Sequence, residues 1–191
     1  AIFEFPYLYG LFEGKFDIIY HEHVFYYSLI ALLNLFDKAN LEIYDVEFVK
    51  TQGGSLRIYL CHRNTFKVKK SVNRLLAKEK QLGFDEFKTY GEIKDRAEEI
   101  RKDLLNLLKS IKKSKKKIAA YSAPAKGNIL LNYIGIGSNY LDFVVDLAQE
   151  KQGLYTPGTH MLVHSPDKIF KENPDYLLVL CWNIIEEVMN Q

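Results

Sequence analysis

Ile118-Ala119-Ala120-Tyr121-Ser122-Ala123-Pro124-Ala125-Lys126-Gly127-Asn128 is the stretch whose reading sets the fold class. Four apolar residues, Ile118 to Tyr121, have the length and bounds of a buried strand. Ser122 to Gly127 reads as a glycine-containing turn, and Asn128 to Tyr133 opens a helix. The pattern then repeats. Leu141 to Asp146 is a second strand, Met161 to Val163 a short third run, Tyr176 to Leu180 a fourth strand, and Ile184 to Asn190 a closing helix. Strands alternating with helices predict an α/β fold with a parallel sheet and right-handed crossovers. Such sheets take their ligands at the carboxyl ends of strands, beside a helix N-terminus. Ala123 to Asn128 occupies that place, with Lys126 as partner for an anion. The run is not GxGxxG, so a dinucleotide reading is unsupported. A compact turn with an exposed lysine is the competing account.

Upstream, Phe66 to Lys117 is rich in lysine and glutamate and helical in period. It divides into Val68 to Leu82 and Tyr90 to Ile111, interrupted at Gly83-Phe84-Asp85. Leu104, Leu105, Leu107, Leu108 and Ile111 make one apolar face. The lysines from 112 to 117 read as a solvated helix end rather than a nucleic-acid patch. Further back, residues 2–9 read as a strand entering a loop, and 10–15 as a polar connection. Ser28 to Ala39 has apolar residues at helical spacing, with Ser28 as N-cap. Leu41 to Lys50 and Leu56 to Cys61 alternate as an antiparallel strand pair, joined tightly through Thr51-Gln52-Gly53-Gly54-Ser55.

A chain of 191 residues with 48% hydrophobic and 26% charged residues is globular and large enough for a proper core. No apolar run reaches the roughly 18–20 residues of a membrane helix. A net charge of +2 gives no reason to expect nucleic-acid binding. Cys61 and Cys181 lack metal or CxxC spacing, which predicts a reducing, cytoplasmic setting. The chain opens on Ala1 and a strand already under way, so we expect a piece of a longer protein.

Tyr20-His21-Glu22-His23 places a phenol, a carboxylate and two imidazoles in four consecutive residues. Imidazole titrates nearest neutrality and can take or give a proton there. Three readings are open: a catalytic cluster, a structural cluster with satisfied hydrogen bonds, and a metal site. The last lacks an HExxH helix and offers few ligands. In extended backbone His21 and His23 share a face, so the residues alone do not separate them.

The chain resembles the C-terminal part of the sugar C-methyltransferases that use S-adenosylmethionine. Five segments carry the likeness, in order along the chain: 16–23 with Tyr20-His21-Glu22-His23; Gln52-Gly53-Gly54-Ser55-Leu56-Arg57; 121–128; 151–160 from Lys151-Gln152-Gly153 to Gly158-Thr159-His160; and 174–183 with Trp182-Asn183. The resemblance implies that 66–191 is a helical linker plus a Rossmann-like C-terminal domain. Residues 1–65 would be the last strands and helix of a class I methyltransferase domain. It further implies that a methyl is transferred from S-adenosylmethionine to a carbon beside the ketone of a nucleotide-linked sugar. His23 would be the base that makes the enolate, with Tyr20, Glu22 and His21 in support. Arg57, Ser55, Lys126, Asn128, Lys151, Tyr155 and His160 would contact the nucleotide-sugar. The glycine-rich loop for the methyl donor is expected upstream of this chain, and zinc only in a further N-terminal module. No nucleic acid or membrane partner is implied.

The family usually has glycine where this chain has Ser122. Glycine there lets backbone approach a ligand closely, and serine narrows that space or adds a hydroxyl. The rival functional reading is a non-catalytic Rossmann-like domain that binds a nucleotide-sugar or docks a partner. Trp182 reads as core rather than as a ligand platform.

Overall fold

A computed structural model describes residues 1–50 and 53–190; Thr51 and Gln52 of the expected tight connection, and Gln191, lie outside the described residues. The chain forms two compact units, Ala1–Lys15 with Glu22–Ala97, and Phe16–His21 with Glu98–Gln191. This division by compactness is not the division by resemblance at 65/66. The helix Lys70–Gln81 falls in the first unit, because it buries Val72 and Leu75 and packs on the neighbouring strand and helix there.

In the first unit, β1 (Ile2–Pro6) runs into α1 (Tyr9–Phe12). After the excursion at 16–21 come α2 (Leu29–Lys38), β2 (Leu41–Val49), β3 (Ser55–His62) and α3 (Lys70–Gln81). The sheet order is β1-β3-β2, with both pairings antiparallel. The apolar phase of β2 jumps between Ile43 and Val46. A bulge between Ile43 and Asp45 absorbs the extra residue, so both apolar side chains remain buried.

The N-terminus of α2 is satisfied twice over. Ser28 accepts from the Ala31 N–H at 3.1 Å, as its N-cap position predicts. Glu79 of α3, fully buried, supplies the rest. Its Oε1 accepts from Leu29 N–H and from the Tyr7 hydroxyl, both at 2.7 Å, and its Oε2 accepts from Ile30 N–H at 2.8 Å. A buried carboxylate is tolerated here because the orphan N–H groups of a helix start surround it. Burial and the neighbouring Glu79 push the Tyr7 phenol far above its ordinary range.

In the second unit, α4 (Gly91–Lys113), which begins in the first, leads to β4 (Ile118–Tyr121), α5 (Ala125–Ile134), β5 (Phe143–Val145), β6 (Val163–His164), α6 (Asp167–Glu172), β7 (Tyr176–Val179) and α7 (Ile185–Met189). The four strands form one sheet of order β6-β5-β4-β7, parallel throughout. Ala119, Tyr121, Phe143, Val145 and Cys181 form one buried cluster on it. The lysine run is more than a solvated helix end. Lys112 pairs with Asp142, Lys116 with Asp175 and Lys117 with Glu172, tying the approach to β4 into this unit.

Three elements differ from the expectation: α1 occupies Tyr9–Phe12, where the sequence predicts a loop and a polar connection, and buries Gly10 and Leu11; α6 (Asp167–Glu172) has no counterpart in the sequence reading; and α5 begins early. The sequence predicts a turn reaching Gly127, yet α5 starts at Ala125, directly after Pro124. Proline supplies a fixed φ before the helix. Gly127 lies inside the helix, where an added Cβ would sit 2.7 Å from Leu180 Cβ and 3.0 Å from Pro124 Cδ. The glycine serves close packing, which a local reading cannot tell from a turn.

Candidate functional site

The registers of the second unit bring three strand ends together. Tyr121 pairs with Val145 on one side and Val179 on the other. The residues that follow, Ser122, Asp146 and Leu180, therefore begin three adjacent loops at the carboxyl edge of the sheet, where parallel α/β sheets carry their ligands.

Asp146 organises this edge. It is buried, and its Oδ2 accepts from Ala123 N–H at 2.6 Å, from Lys151 Nζ at 3.2 Å and from the Ser122 hydroxyl at 3.2 Å. Its Oδ1 accepts from Ala148 N–H at 2.9 Å. Burial alone would raise its pKa. The N–H groups of Ala123 and Ala148, with Lys151, outweigh that and hold the carboxyl below its ordinary range. Lys151 also donates to the Ala123 carbonyl at 3.3 Å, so its ammonium bridges the loops after β4 and β5.

Beside this bridge is a cavity of about 200 Å³ lined by Ala123, Asn128, Lys151, Tyr155, Thr156 and Pro157, among others. Three residues expected to bind substrate, Asn128, Lys151 and Tyr155, thus meet although Asn128 comes from a different segment of the chain from the other two. Asn128 donates through Nδ2 to the Pro124 carbonyl, and its Oδ1 is buried without a hydrogen-bond partner. That oxygen is an acceptor available to a donor group. Thr156, not singled out in the sequence, shapes the wall. Its hydroxyl oxygen accepts from Met161 N–H at 2.9 Å and lies 2.6 Å from the Thr159 hydroxyl.

The other expected contacts fall elsewhere. Lys126 starts in the same helix as Asn128, but its amine lies 4.6 Å over the Trp182 ring and bonds to Asn183. Burial lowers its pKa, and the charge of Asp17 works in the opposite direction. His160 is exposed at the tip of its loop, with a left-handed backbone (φ 50°). In the first unit, Arg57 lies on β3 between Glu4 of β1 and Glu47 of β2. Its Nη2 is 2.8 Å from Glu4 and its Nη1 3.3 Å from Glu47, so its fork already engages two carboxylates. Ser55 is buried at the start of β3, next to the Gly53-Gly54 connection that Lys15 holds through the Gly53 carbonyl at 2.7 Å.

The imidazole cluster follows a short 3₁₀ turn, Phe16–Ile18, all three residues buried. Phe16 packs on Tyr133 of α5 with ring centroids 4.8 Å apart. Asp17, which reads in sequence only as a break in an apolar run, accepts the indole N–H of Trp182 at 2.6 Å. Trp182 is thus half-buried and hydrogen-bonded, not simply packed. The chain then bends at Tyr20 and turns at His21-Glu22. Extended backbone is absent there, so strand alternation does not put His21 and His23 on one face. His21 and Glu22 are exposed, while Tyr20 and His23 are half-buried. His23 meets Tyr26 edge-on at 6.3 Å. The compact units divide between His21 and Glu22. Past the cluster, Tyr27 is tied to the first unit by a parallel bridge to Tyr7.

Among the described residues, no group of three or more His, Cys, Asp or Glu side chains could hold a metal ion, and no helix is long and apolar enough to cross a membrane. The described residues of the first unit do not fit an adenosyl donor by themselves. β1 passes through Pro6-Tyr7-Leu8 into α1 without a glycine-rich loop, and Gly53-Gly54 lies between two hairpin strands.

Residues 50–191 match the model of a family described as the C-methyltransferase C-terminal domain. The C-methyltransferase NovU of Streptomyces niveus is 35% identical over 189 residues, which cover 98% of this chain and 45% of that protein. The chain thus spans less than half the length of the curated relative it matches. A parallel sheet with its loops gathered at the carboxyl edge agrees with the matched domain, and the chain belongs to the C-methyltransferase family through its C-terminal part.

Proposed function

We propose that this chain is the substrate-activating part of an enzyme that methylates a carbon beside the ketone of a nucleotide-linked sugar. The observation that carries the reading is the accessible turn at Tyr20–His23. Two imidazoles follow a buried anchor, one exposed and the other half-exposed, in a member of a C-methyltransferase family. Burial within a core would have served packing alone.

In this reading His23 removes the proton from the carbon beside the carbonyl, and the electron pair moves onto the carbonyl oxygen. The Tyr20 hydroxyl donates to that oxygen as its charge develops. Glu22 orients an imidazole or accepts from a sugar hydroxyl, and His21 is the second candidate base. The activated carbon would then bond to a methyl group as the sulfur–methyl bond of the donor breaks, the donor leaving as a neutral thioether and the carbonyl re-forming. The donor in this reading is S-adenosylmethionine, held by residues outside this chain, and the proton on His23 returns to solvent. Asn128, Lys151 and Tyr155 receive the nucleotide portion, with the Lys151 ammonium facing phosphate oxygens. Arg57, Ser55, Lys126 and His160 are the remaining proposed contacts. For Arg57 the role requires exchange of a carboxylate partner for a substrate oxygen.

The test is methyl transfer by the full-length enzyme carrying His23→Ala, beside His21→Ala. Loss of about 10²-fold or more for His23→Ala is expected for a general base. Near-normal turnover of that variant would exclude it. Wild-type enzyme should also exchange the proton beside the ketone with deuterated solvent when no methyl donor is present, and absence of exchange would remove the enolate step. A non-catalytic nucleotide-sugar-binding domain is the second reading, favoured by the 200 Å³ cavity. It prevails if both histidine variants methylate normally while Lys151→Met weakens binding of the nucleotide-sugar.

A further inference from the structure

We infer that the Asp17–Trp182 pair is a positioning device that fixes Tyr20 and His21 on the second unit for the methyl-transfer reaction. The inference rests on the function proposed above. Phe16–His21 is a six-residue excursion that belongs to the second unit although its neighbours on both sides belong to the first. A segment of that length stays in place only where contacts offset the backbone entropy lost in fixing it. Two contacts do so. One is apolar, Phe16 on Tyr133. The other is directional, from Trp182 Nε1–H to Asp17 Oδ2 at 2.6 Å, with the acceptor almost fully buried. A short bond from a neutral donor to a buried carboxylate is among the strong ones.

The donor is itself held. Trp182 begins the 3₁₀ turn that follows β7, and Lys126 covers its ring while bonding to Asn183 beside it. The indole therefore presents its N–H in a fixed direction at the carboxyl edge of the sheet. On the other side, Ile19 N–H bonds to the Phe16 carbonyl at 3.0 Å, so the 3₁₀ turn is closed immediately before Tyr20. A displacement of Asp17 is transmitted to Tyr20 and His21 through Ile18 and Ile19, the closed end of the turn, with little slack. Misplacement of a reacting group by about 1 Å is enough to lower turnover about 10²-fold.

Trp182→Phe keeps the ring under Lys126 and removes only the donor. Asp17→Asn keeps an oxygen acceptor for the indole, and Asp17→Ala removes it. In the full-length enzyme we expect Trp182→Phe and Asp17→Ala to speed backbone hydrogen–deuterium exchange over residues 16–21, with exchange in β4 and β5 unchanged. Turnover on a nucleotide-linked keto-hexose that the wild type methylates should fall about 10–100-fold, with a change in KM below about threefold. Asp17→Asn should retain most of the turnover. Unchanged exchange over 16–21 in both Trp182→Phe and Asp17→Ala overturns the inference, as does faster exchange with unchanged kcat. If the wild type methylates no keto-sugar, the functional reading has failed instead, and the exchange measurement alone decides whether the pair holds the segment. Should Trp182→Phe not fold, Asp17→Asn against Asp17→Ala decides the same question.

Discussion

Ser122 and Asp146 stand next to each other at the ends of two parallel strands, the serine hydroxyl donating to the Asp146 carboxylate at 3.2 Å while the serine backbone sits at φ 72°. That left-handed conformation favours glycine and costs other residues about 1–2 kcal/mol. The hydroxyl offsets the strain, since a hydrogen bond to a charged group is worth about 1.5–3 kcal/mol at best. Ser122→Gly is expected to lie within about 1 kcal/mol of wild type, and Ser122→Ala to be less stable than Ser122→Gly by about 1 kcal/mol. Urea denaturation of the two variants makes the comparison. An alanine variant as stable as the glycine one would show that the backbone is not strained.

The buried carboxyl of Asp146 links stability to pH. Its pKa is below the ordinary carboxylate value because backbone donors and Lys151 outweigh burial. In the unfolded chain it titrates near about 3.9. Its contribution is therefore complete above that value and is lost as pH falls through the lower folded pKa. At neutral pH, Asp146→Asn should destabilise by about 1–3 kcal/mol, as it leaves Ala123 or Ala148 N–H facing an amide donor. The gap between wild type and variant should narrow as pH falls through the acid range. A gap that stays constant from neutral pH down through the acid range would contradict the hydrogen-bond pattern.

Glu79 carries the start of α2, which directly follows Ser28 and is separated from the imidazole cluster by residues 24–28. Removing a buried charge whose partners remain buried typically costs about 3–5 kcal/mol, so Glu79→Ala should approach that loss. Glu79→Gln should rescue it only in part, because one amide hydrogen would face Ile30 N–H or the donors on the opposite oxygen. Tyr7→Phe should cost about 1–3 kcal/mol through the same network. Equilibrium unfolding measures all three, and full rescue by glutamine would remove the case for a carboxylate cap.

Gly127 tests close packing against helix propensity. Alanine is the better helix former by about 1 kcal/mol. Its methyl would collide with Leu180 and Pro124, and overpacking of that kind costs about 1–3 kcal/mol. Gly127→Ala should therefore destabilise, and Leu180→Ala in the same chain should recover part of the loss. A stabilised Gly127→Ala would mean that α5 stands too far from Leu180 for the methyl to meet it.

Much of this architecture is legible in the residues themselves because its signals are local. Ile118 to Tyr121 reads as a buried strand, Ser28 reads as a cap, and the apolar phase of β2 and β3 reads as a hairpin pair. Each depends only on periodicity or on a side chain within three residues of the backbone it serves. The short motifs are visible for the same reason, including the imidazole turn and the segments that supply Asn128, Lys151 and Tyr155. Asp17 offers one clue, a charge inside an apolar run, but nothing nearby names its partner.

What the chain alone determined, then, is the strands of both sheets, the helices other than α1 and α6, the parallel order of the second sheet and the candidates for chemistry. Only the tertiary structure decided that Asp17 meets Trp182, 165 positions away, that Lys126 turns from the cavity that Asn128 helps to line, that Arg57 lies between two carboxylates, and that Gly127 is small for the sake of Leu180. These are contacts between residues distant in sequence. They follow from strand register and from which side chains find the same buried space, quantities that no local pattern of residues encodes.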